Sequence, residues 1–425
     1  MNPAPRSVAV RPRVGGVPAD LGLPDLPGCK SHTQRAMVLA GFLPGRRLLR
    51  GALRSADPEL LGVALERLGA RVEWQAEGCR IQGVAAAPRP AELFLGENAT
   101  ALRMLLLVVP LLGGSLVVDG APGLRARPLG AVLATLHALG LRTEGEGLPL
   151  RIAGPARSIP SVLDVEASGT SQAASGAVLG MALRSLRAGG TGRVRALRPA
   201  APGYLAMTGS VLRGFGCEVR SRWVGPDLQI EVGPWGPIPE EFAIPPDASS
   251  ATFVRVLAAL HRRAAVPFVG PIGNPHPEAA VGEDLAALLG AAPHAGVVLD
   301  RLGLRPDAFP ALAALAATRS GETLLTGAAS LRAKESDRIA AMAMALQALG
   351  VECQELTDGL WVRGPLRADG NEPVPVPAPA DHRVIMALAL LGTVLPQGVS
   401  LPHRDAVAKS WPGFWEWLAR VAEVT

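Results

Sequence analysis

Lysine is scarce in this chain: of 42 lysines and arginines, only Lys30, Lys334 and Lys409 are lysine. Tyrosine is scarcer still, with Tyr204 alone. In a composition that has otherwise exchanged lysine for arginine, the survivors mark places where a compact, titratable ammonium resists replacement by a flat guanidinium. Their surroundings fit that reading. Lys30, Ser31 and Arg35 stand in LPGCKSHTQRA (26–36), where a lysine and an arginine flank a hydroxyl at the start of a helix, the makings of an anion cradle. A Walker-type phosphate loop is excluded, because Cys29 separates Gly28 from Lys30. Lys334, Glu335 and Arg338 crowd into LRAKESDRIAAM (331–342), and Lys409 lies in DAVAKSWPGFWEWL (405–418). Asp307 precedes an apolar helix in RPDAFPALAALAA (305–317). FLGENATALR (94–103), GLRARPLG (123–130), SGTSQAASG (168–176), PDASSATFV (246–254) and ADHRVIMALAL (380–390) are further segments that amphipathicity alone does not explain.

The elements that must position these residues repeat. An apolar helical stretch, a small turn ending in glycine and a short strand recur with markers at Gly69, Gly140, Gly216, Gly290 and Gly350. The period is roughly 70 residues. Glycine after a last helical turn accepts the left-handed conformation without a Cβ clash. Strand pairs follow in ARVEWQAEGCRIQG and VECQELTDGLWVRG, where polar and apolar residues alternate. FWEWLARVAEV is expected as a closing helix, which makes six α/β units, most simply two domains of three. The apolar stretch Ala101–Val118 is broken by Arg103, Pro110, Gly113 and Gly114, so it reads as a buried helix of about three turns and not as a membrane span. The Pro-rich stretch 371–381 reads as a loop leading into the last unit.

Composition bounds the function classes. The chain has 425 residues, 48% hydrophobic and 19% charged, enough for two or three packed domains and too apolar for large-scale disorder. The net charge of +5 comes without a basic run or interleaved aromatics, which argues against nucleic acid and for small anionic substrates. Four scattered cysteines without a CxxC pair suit free thiols in a reducing cytoplasm and neither a zinc site nor a disulfide frame. The first 16 residues lack the apolar core of a secretion signal.

From its first strand to its last helix the chain resembles the 5-enolpyruvylshikimate-3-phosphate (EPSP) synthases. The resemblance rests on the Lys30-Ser31…Arg35 opening, Arg127 in the RxRP arginine motif, Thr170-Ser171-Gln172, Tyr204, Asp307 in PDA, Lys334-Glu335-Ser336-Asp337-Arg338 in KExDR, Asp381-His382-Arg383 and the Lys409 ending. All three lysines and the single tyrosine fall on family site positions. The resemblance implies an α/β fold of two pseudo-threefold domains, each with three βαβαββ units, joined by a double crossover. The expected domains are 22–238 and 239–425, the latter with the first 20 or so residues. The implied reaction moves the enolpyruvyl group of phosphoenolpyruvate onto the 5-hydroxyl of shikimate 3-phosphate, in a cytoplasmic monomer needing no cofactor or metal.

The implied roles follow the same motifs. Lys30, Ser31, Arg35, Thr170, Ser171, Gln172, Tyr204, Asp307 and Lys334 would hold shikimate 3-phosphate. Lys30, Ala99, Arg127, Gln172, Arg338, His382, Arg383 and Lys409 would line the phosphoenolpyruvate pocket. Asp307 is the expected base and Glu335 the acid at the methylene carbon, with Lys30 and Lys409 at the departing phosphate. Departures from the family pattern are Cys29, Glu97 and Ala99 in place of the usual Asn-Ala-Gly-Thr spelling, Ala201 for a serine and Ser330 for an asparagine. Glycine at position 99 would lie against the phosphoenolpyruvate pocket, where glyphosate also sits, so the Ala99 methyl is expected to reduce glyphosate sensitivity. Two rivals are a UDP-N-acetylglucosamine enolpyruvyl transferase, whose Lys-Asn opening and cysteine-bearing loop are not evident here, and a degenerate homologue that only binds a phosphorylated ligand. Retention of acid and base groups argues against the latter.

Overall fold

The computed structural model describes residues 6–13, 26–84, 86–156, 159–262, 276–367 and 370–425. The chain forms two compact units, Gly28–Pro246 and Met1–Pro27 with Asp247–Thr425. The expected divide at residue 22 lies outside the described residues. The other divide falls after Pro246 and not at 238/239. The cause is local: Glu241–Ala243 pairs in parallel with Leu48–Arg50, and Pro246 bridges to Gly28, which holds this segment to the first unit.

The described residues contain five four-stranded sheets of one topology. In each, a strand runs parallel to a second, the second is antiparallel to a fourth, and the fourth is antiparallel to a third. Three sheets belong to the Gly28–Pro246 unit. They are built from Glu241–Ala243, Gly45–Arg50, Arg71–Gln75 and Gly78–Gly83; from Ala91–Phe94, Leu116–Asp119, Thr143–Glu144 and Leu150–Ile152; and from Leu163–Glu166, Gly192–Leu197, Cys217–Val224 and Asp227–Trp235. Two belong to the other unit: Val297–Leu299, Gly321–Leu325, Glu352–Leu356 and Gly359–Gly364; and Val374–Pro375, Val399–Leu401, Ala422–Val424 and Val8–Pro12. Parallel neighbours need a crossover helix and antiparallel ones only a turn, so the βαβαββ order follows in the three sheets whose strands are consecutive, while Glu241–Ala243 and Val8–Pro12 join their sheets from distant parts of the chain.

The marker glycines behave as C-caps with one exception. Gly69, Gly140, Gly216 and Gly350 take positive φ, whereas Gly290 is the last residue of the helix Val281–Gly290. FWEWLARVAEV is not one helix. It forms a five-residue helix Phe414–Leu418 and then the strand Ala422–Val424, because that strand is needed to pair with Val10–Pro12. The apolar stretch after residue 98 is the buried helix Ala99–Leu111, with Pro110 in its last turn. No described helix is long and apolar enough to cross a membrane.

Each unit is centred on three mutually packed helices. In the Gly28–Pro246 unit these are Lys30–Phe42, Ala99–Leu111 and Gln172–Ala188. In the other they are Ala248–Leu260, Phe309–Thr318 and His382–Gly392. Their apolar side chains are almost wholly buried, each worth roughly 1.5–3 kcal/mol when large. Small residues set how closely the helices approach. A Cβ on Gly176 would meet the Arg103 carbonyl oxygen and Met104 Cα at 2.8 Å, so glycine there lets Gln172–Ala188 lie against Ala99–Leu111. Every expected site motif except GLRARPLG and the Tyr204, Lys334 and Lys409 segments begins one of these central helices, where unpaired N–H groups favour anions.

Candidate functional site

In the Gly28–Pro246 unit the three helix starts are tied together by polar contacts. Lys30, first residue of its helix, pairs with Asp57 Oδ2 at 2.9 Å. The Asp57 carbonyl accepts from Asn98 Nδ2 at 2.7 Å, and Asn98 Oδ1 caps Ala99–Leu111 by accepting the Ala101 N–H at 3.0 Å. One turn on, Gln172 Nε2 donates to Thr100 Oγ1 at 2.9 Å, and Gln172 Oε1 accepts from Arg103. Thr170 Oγ1 accepts the Gln172 N–H at 3.3 Å, while Ser171 occupies the N-cap without a side-chain cap bond. Arg35, 2% exposed, donates to Thr208 Oγ1 (2.8 Å), the Ser31 carbonyl (2.9 Å) and Ser175 Oγ (3.2 Å), and lies over the Tyr204 ring at 5.9 Å. Burial pushes the Arg35 pKa down to about 10, which leaves it charged at neutral pH.

Two further residues of this unit, Arg127 and Glu97, lie beside the short helix Pro122–Arg125. Arg127 is half-buried just after that helix. Glu97 Oε1 accepts the Gly123 N–H at 3.1 Å, so its side chain is folded against the helix. Ala99, 3% exposed, is the first residue of its central helix, and Ala201 is a buried N-cap that offers no side-chain bond to Pro202–Gly214, the helix carrying Tyr204.

In the other unit, carboxylates and arginines interlock. Arg338, 1% exposed, begins the helix Arg338–Ala348, which Asp337 caps through the Ile339 and Ala340 N–H groups. Its five N–H donors all find partners: Nε bonds Asp381 Oδ2 (2.9 Å), Nη1 bonds Asp307 Oδ1 (2.8 Å) and the Pro306 carbonyl (3.3 Å), and Nη2 bonds Glu335 Oε2 (3.2 Å) and Asp381 Oδ1 (3.4 Å). Burial would lower the Arg338 pKa, but the three carboxylates outweigh it and raise it. Asp381 caps His382–Gly392 by accepting the Arg383 N–H at 2.9 Å and also accepts from Ser336 Oγ at 3.1 Å. Asp307 Oδ2 accepts from Arg383 Nη2 at 3.2 Å and Ser249 Oγ at 3.3 Å. Burial works to raise the Asp307 carboxyl, yet Arg383 and then Arg338 hold it well below the usual carboxylate range. Lys409 Nζ lies 3.5 Å from Glu335 Oε1. His382 Nδ1 lies 3.8 Å from Asp381 Oδ1. Lys334, half-buried, ends the turn Ala329–Ala333, and its charge adds to the lowering of Asp307.

A family match places the chain. A model of the EPSP synthase (3-phosphoshikimate 1-carboxyvinyltransferase) family covers residues 22–418. The chain belongs to the EPSP synthase family. It is 32% identical over 404 residues to the 3-phosphoshikimate 1-carboxyvinyltransferase of Pseudomonas syringae pv. syringae, covering 92% of this chain and 93% of that protein. The enzyme of the same name from Rhizobium etli is 30% identical, with 92% of each chain covered. An EPSP synthase structure from Acinetobacter baumannii superposes with a TM-score of 0.73 at 25% identity over 99% of both chains. The enolpyruvyl transferase NikO from Streptomyces tendae shares the fold, with a TM-score of 0.71 at 16% identity over 100% of this chain and 99% of that one. The two-domain enolpyruvyl transferase fold is thus the fold of this chain.

Several residues that join the site escaped the sequence reading. Asp57 and Ser55 open the helix Ala56–Arg67 in a helix-start pattern that could have been read. Asp247, N-cap of Ala248–Leu260, lies 3.6 Å from Arg383, and Ser249 reaches Asp307; both belong to PDASSATFV, whose spelling marks a helix start without showing which side chains turn inward. Arg103, Ser175 and Thr208 are helix-interior residues whose inward direction no local pattern reveals.

Proposed function

We infer that this chain transfers the enolpyruvyl group of phosphoenolpyruvate to the 5-hydroxyl of shikimate 3-phosphate and releases phosphate, acting as a 3-phosphoshikimate 1-carboxyvinyltransferase. The observation that carries the reading is the Arg338 cluster: one guanidinium binds both Asp307 and Glu335, and Lys409 stands beside Glu335. The groups proposed as base, acid and cation for a leaving phosphate thus lie in one network of hydrogen bonds and an ion pair.

The two substrates bring about six negative charges, and each unit supplies cations for them. Arg35, with Lys30 and Ser31, suits the shikimate carboxylate, because a buried guanidinium bonded to neutral oxygens gains most from an anion. Thr170, Ser171 and Gln172, at the start of Gln172–Ala188, suit the 3-phosphate, with Tyr204 lining that pocket and Lys334 supporting the substrate. For phosphoenolpyruvate the proposed residues are Arg383, Lys409 and His382 in the one unit and Arg127, Gln172, Lys30 and Ala99 in the other. Arg338 belongs to that set chiefly by fixing Asp307, Glu335 and Asp381, since a ligand oxygen reaches it only by displacing one of its partners.

In the reaction, the 5-oxygen bonds to C2 of phosphoenolpyruvate as Asp307 takes the hydroxyl proton and Glu335 gives a proton to C3. The tetrahedral adduct then returns a C3 proton to Glu335 as the C2–O bond to phosphate breaks. Lys30 and Lys409 stabilise the departing phosphate. Asp307 begins ionised but weakly basic; substrate anions that draw on Arg383 raise its basicity when the base is needed. Fixed cations and helix ends account for most of the stabilisation. A cytoplasmic location and a monomeric state are part of this proposal and rest on the resemblance to the family. The test is phosphate release from shikimate 3-phosphate plus phosphoenolpyruvate, with the enolpyruvyl ether identified by mass. Phosphate release without that ether, or none at all, would refute the assignment.

A further inference from the structure

Glu278 belongs to none of the motifs above. It follows His276 in the short turn Pro277–Ala280 and is completely buried. Its Oε1 accepts the backbone N–H of Asp307 at 3.0 Å, and its Oε2 has no hydrogen-bond partner among the described residues. The Glu278 N–H donates to His276 Nδ1 at 3.2 Å, which fixes that ring nitrogen as an acceptor; His276 Nε2 lies 3.7 Å from Asp247 Oδ1. A buried carboxylate anion with one oxygen lacking any donor is far costlier than the neutral acid. The Asp307 carboxylate nearby adds repulsion.

We propose that Glu278 is a positioning residue kept as a neutral acid, which anchors the backbone of Asp307 and keeps the surroundings of Arg383 electropositive while its proton is in place. The proposal rests on the reading of Asp307 and Arg383 given above. Among the described residues, Asp307, Arg383 and Arg305 act on Glu278, with His276 on its own turn. Arg305 is itself held by Asp284, Nε to Oδ2 at 2.6 Å. Burial, then the Asp307 charge, push the Glu278 carboxyl up to about 8, against the Asp307 N–H and the two arginines. When it ionises, its proton goes to solvent. The new negative charge competes for Arg383 and opposes an incoming anion. The affected quantity is therefore the KM for phosphoenolpyruvate more than kcat.

Glu278→Gln keeps an acceptor for the Asp307 N–H and cannot ionise. Near pH 7 its kcat and KM are expected within about threefold of wild type; above pH 8 the wild-type KM rises, approaching about tenfold per pH unit, while the variant's stays lower. Thermal melting gives a readout free of activity. Because the folded-state pKa is raised above the unfolded value, wild-type stability falls as pH rises from the ordinary glutamate pKa towards about 8, and the variant lacks that component of the slope. In wild type alone, carbon NMR should show a glutamate carboxyl that titrates above pH 7, a measurement that needs no variant. Coincident pH profiles of KM, melting curves displaced equally at every pH, or glutamates all ionised by pH 6 would each overturn the proposal. An inactive wild type would defeat the functional reading, while the melting and NMR titrations would still decide whether Glu278 holds its proton.

Discussion

Arg35 in the Gly28–Pro246 unit and Arg338 in the Asp247–Thr425 unit are both buried, at 2% and 1% exposure, yet their surroundings are opposite. Arg35 donates to two hydroxyls and a carbonyl, all neutral, and its pKa falls with burial. Arg338 is enclosed by Asp307, Glu335 and Asp381, and its pKa rises. A buried cation whose partners among the described residues are all neutral gains most from an incoming anion, which supports the binding role proposed for Arg35. A cation saturated by carboxylates has no such need, and it serves instead to hold acids in place. On the proposed reading the same residue type serves as receptor in one unit and as scaffold in the other, with the partners deciding which.

Substitution breaks this comparison most sharply at the arginines. Arg338→Met leaves three carboxylates facing one another and should lose about 3–5 kcal/mol of stability in denaturant unfolding. Arg35→Met should lose distinctly less, yet weaken shikimate 3-phosphate by about 1.5–3 kcal/mol, roughly 10- to 150-fold, in calorimetry. Equal stability losses would erase the distinction. Lys30→Arg and Lys409→Arg keep the charge but should each lower turnover by roughly 100-fold, because the ammonium geometry and its proton matter. Near-normal kinetics in either would mean that the lysines merely escaped composition drift.

The fold was legible because its unit repeats: the helix, glycine and hairpin phrase recurs at four left-handed C-caps, Gly69, Gly140, Gly216 and Gly350. Local pattern failed where distant strands intervene. Ala422–Val424 forms a strand only because Val10–Pro12, at the other end of the chain, is there to pair with it, and Glu241–Ala243 stays with the first unit through Leu48–Arg50. Among candidate site residues, those at helix starts were readable from capping and anion-binding chemistry. Glu278 and Thr208 were not, since their importance comes from what burial brings beside them.

A smaller effect should separate ligands at Ala99. Ala99→Gly removes a methyl at the first residue of a central helix, and a methyl in a tight pocket costs about 1–3 kcal/mol when the ligand cannot shift. Glyphosate inhibition should tighten several-fold more than the phosphoenolpyruvate KM improves. Equal changes would rule out a steric cause.

The proposed role of Asp307 as the base, held by Arg338 and Arg383, is tested most directly by Asp307→Asn. Its shikimate 3-phosphate affinity and its turnover should be measured on the same preparation. Affinity should stay within a few-fold of wild type while turnover drops by about 10³-fold, the loss expected when a positioned base is removed. Turnover within a few-fold of wild type would contradict the account, because the proton would then leave by another group.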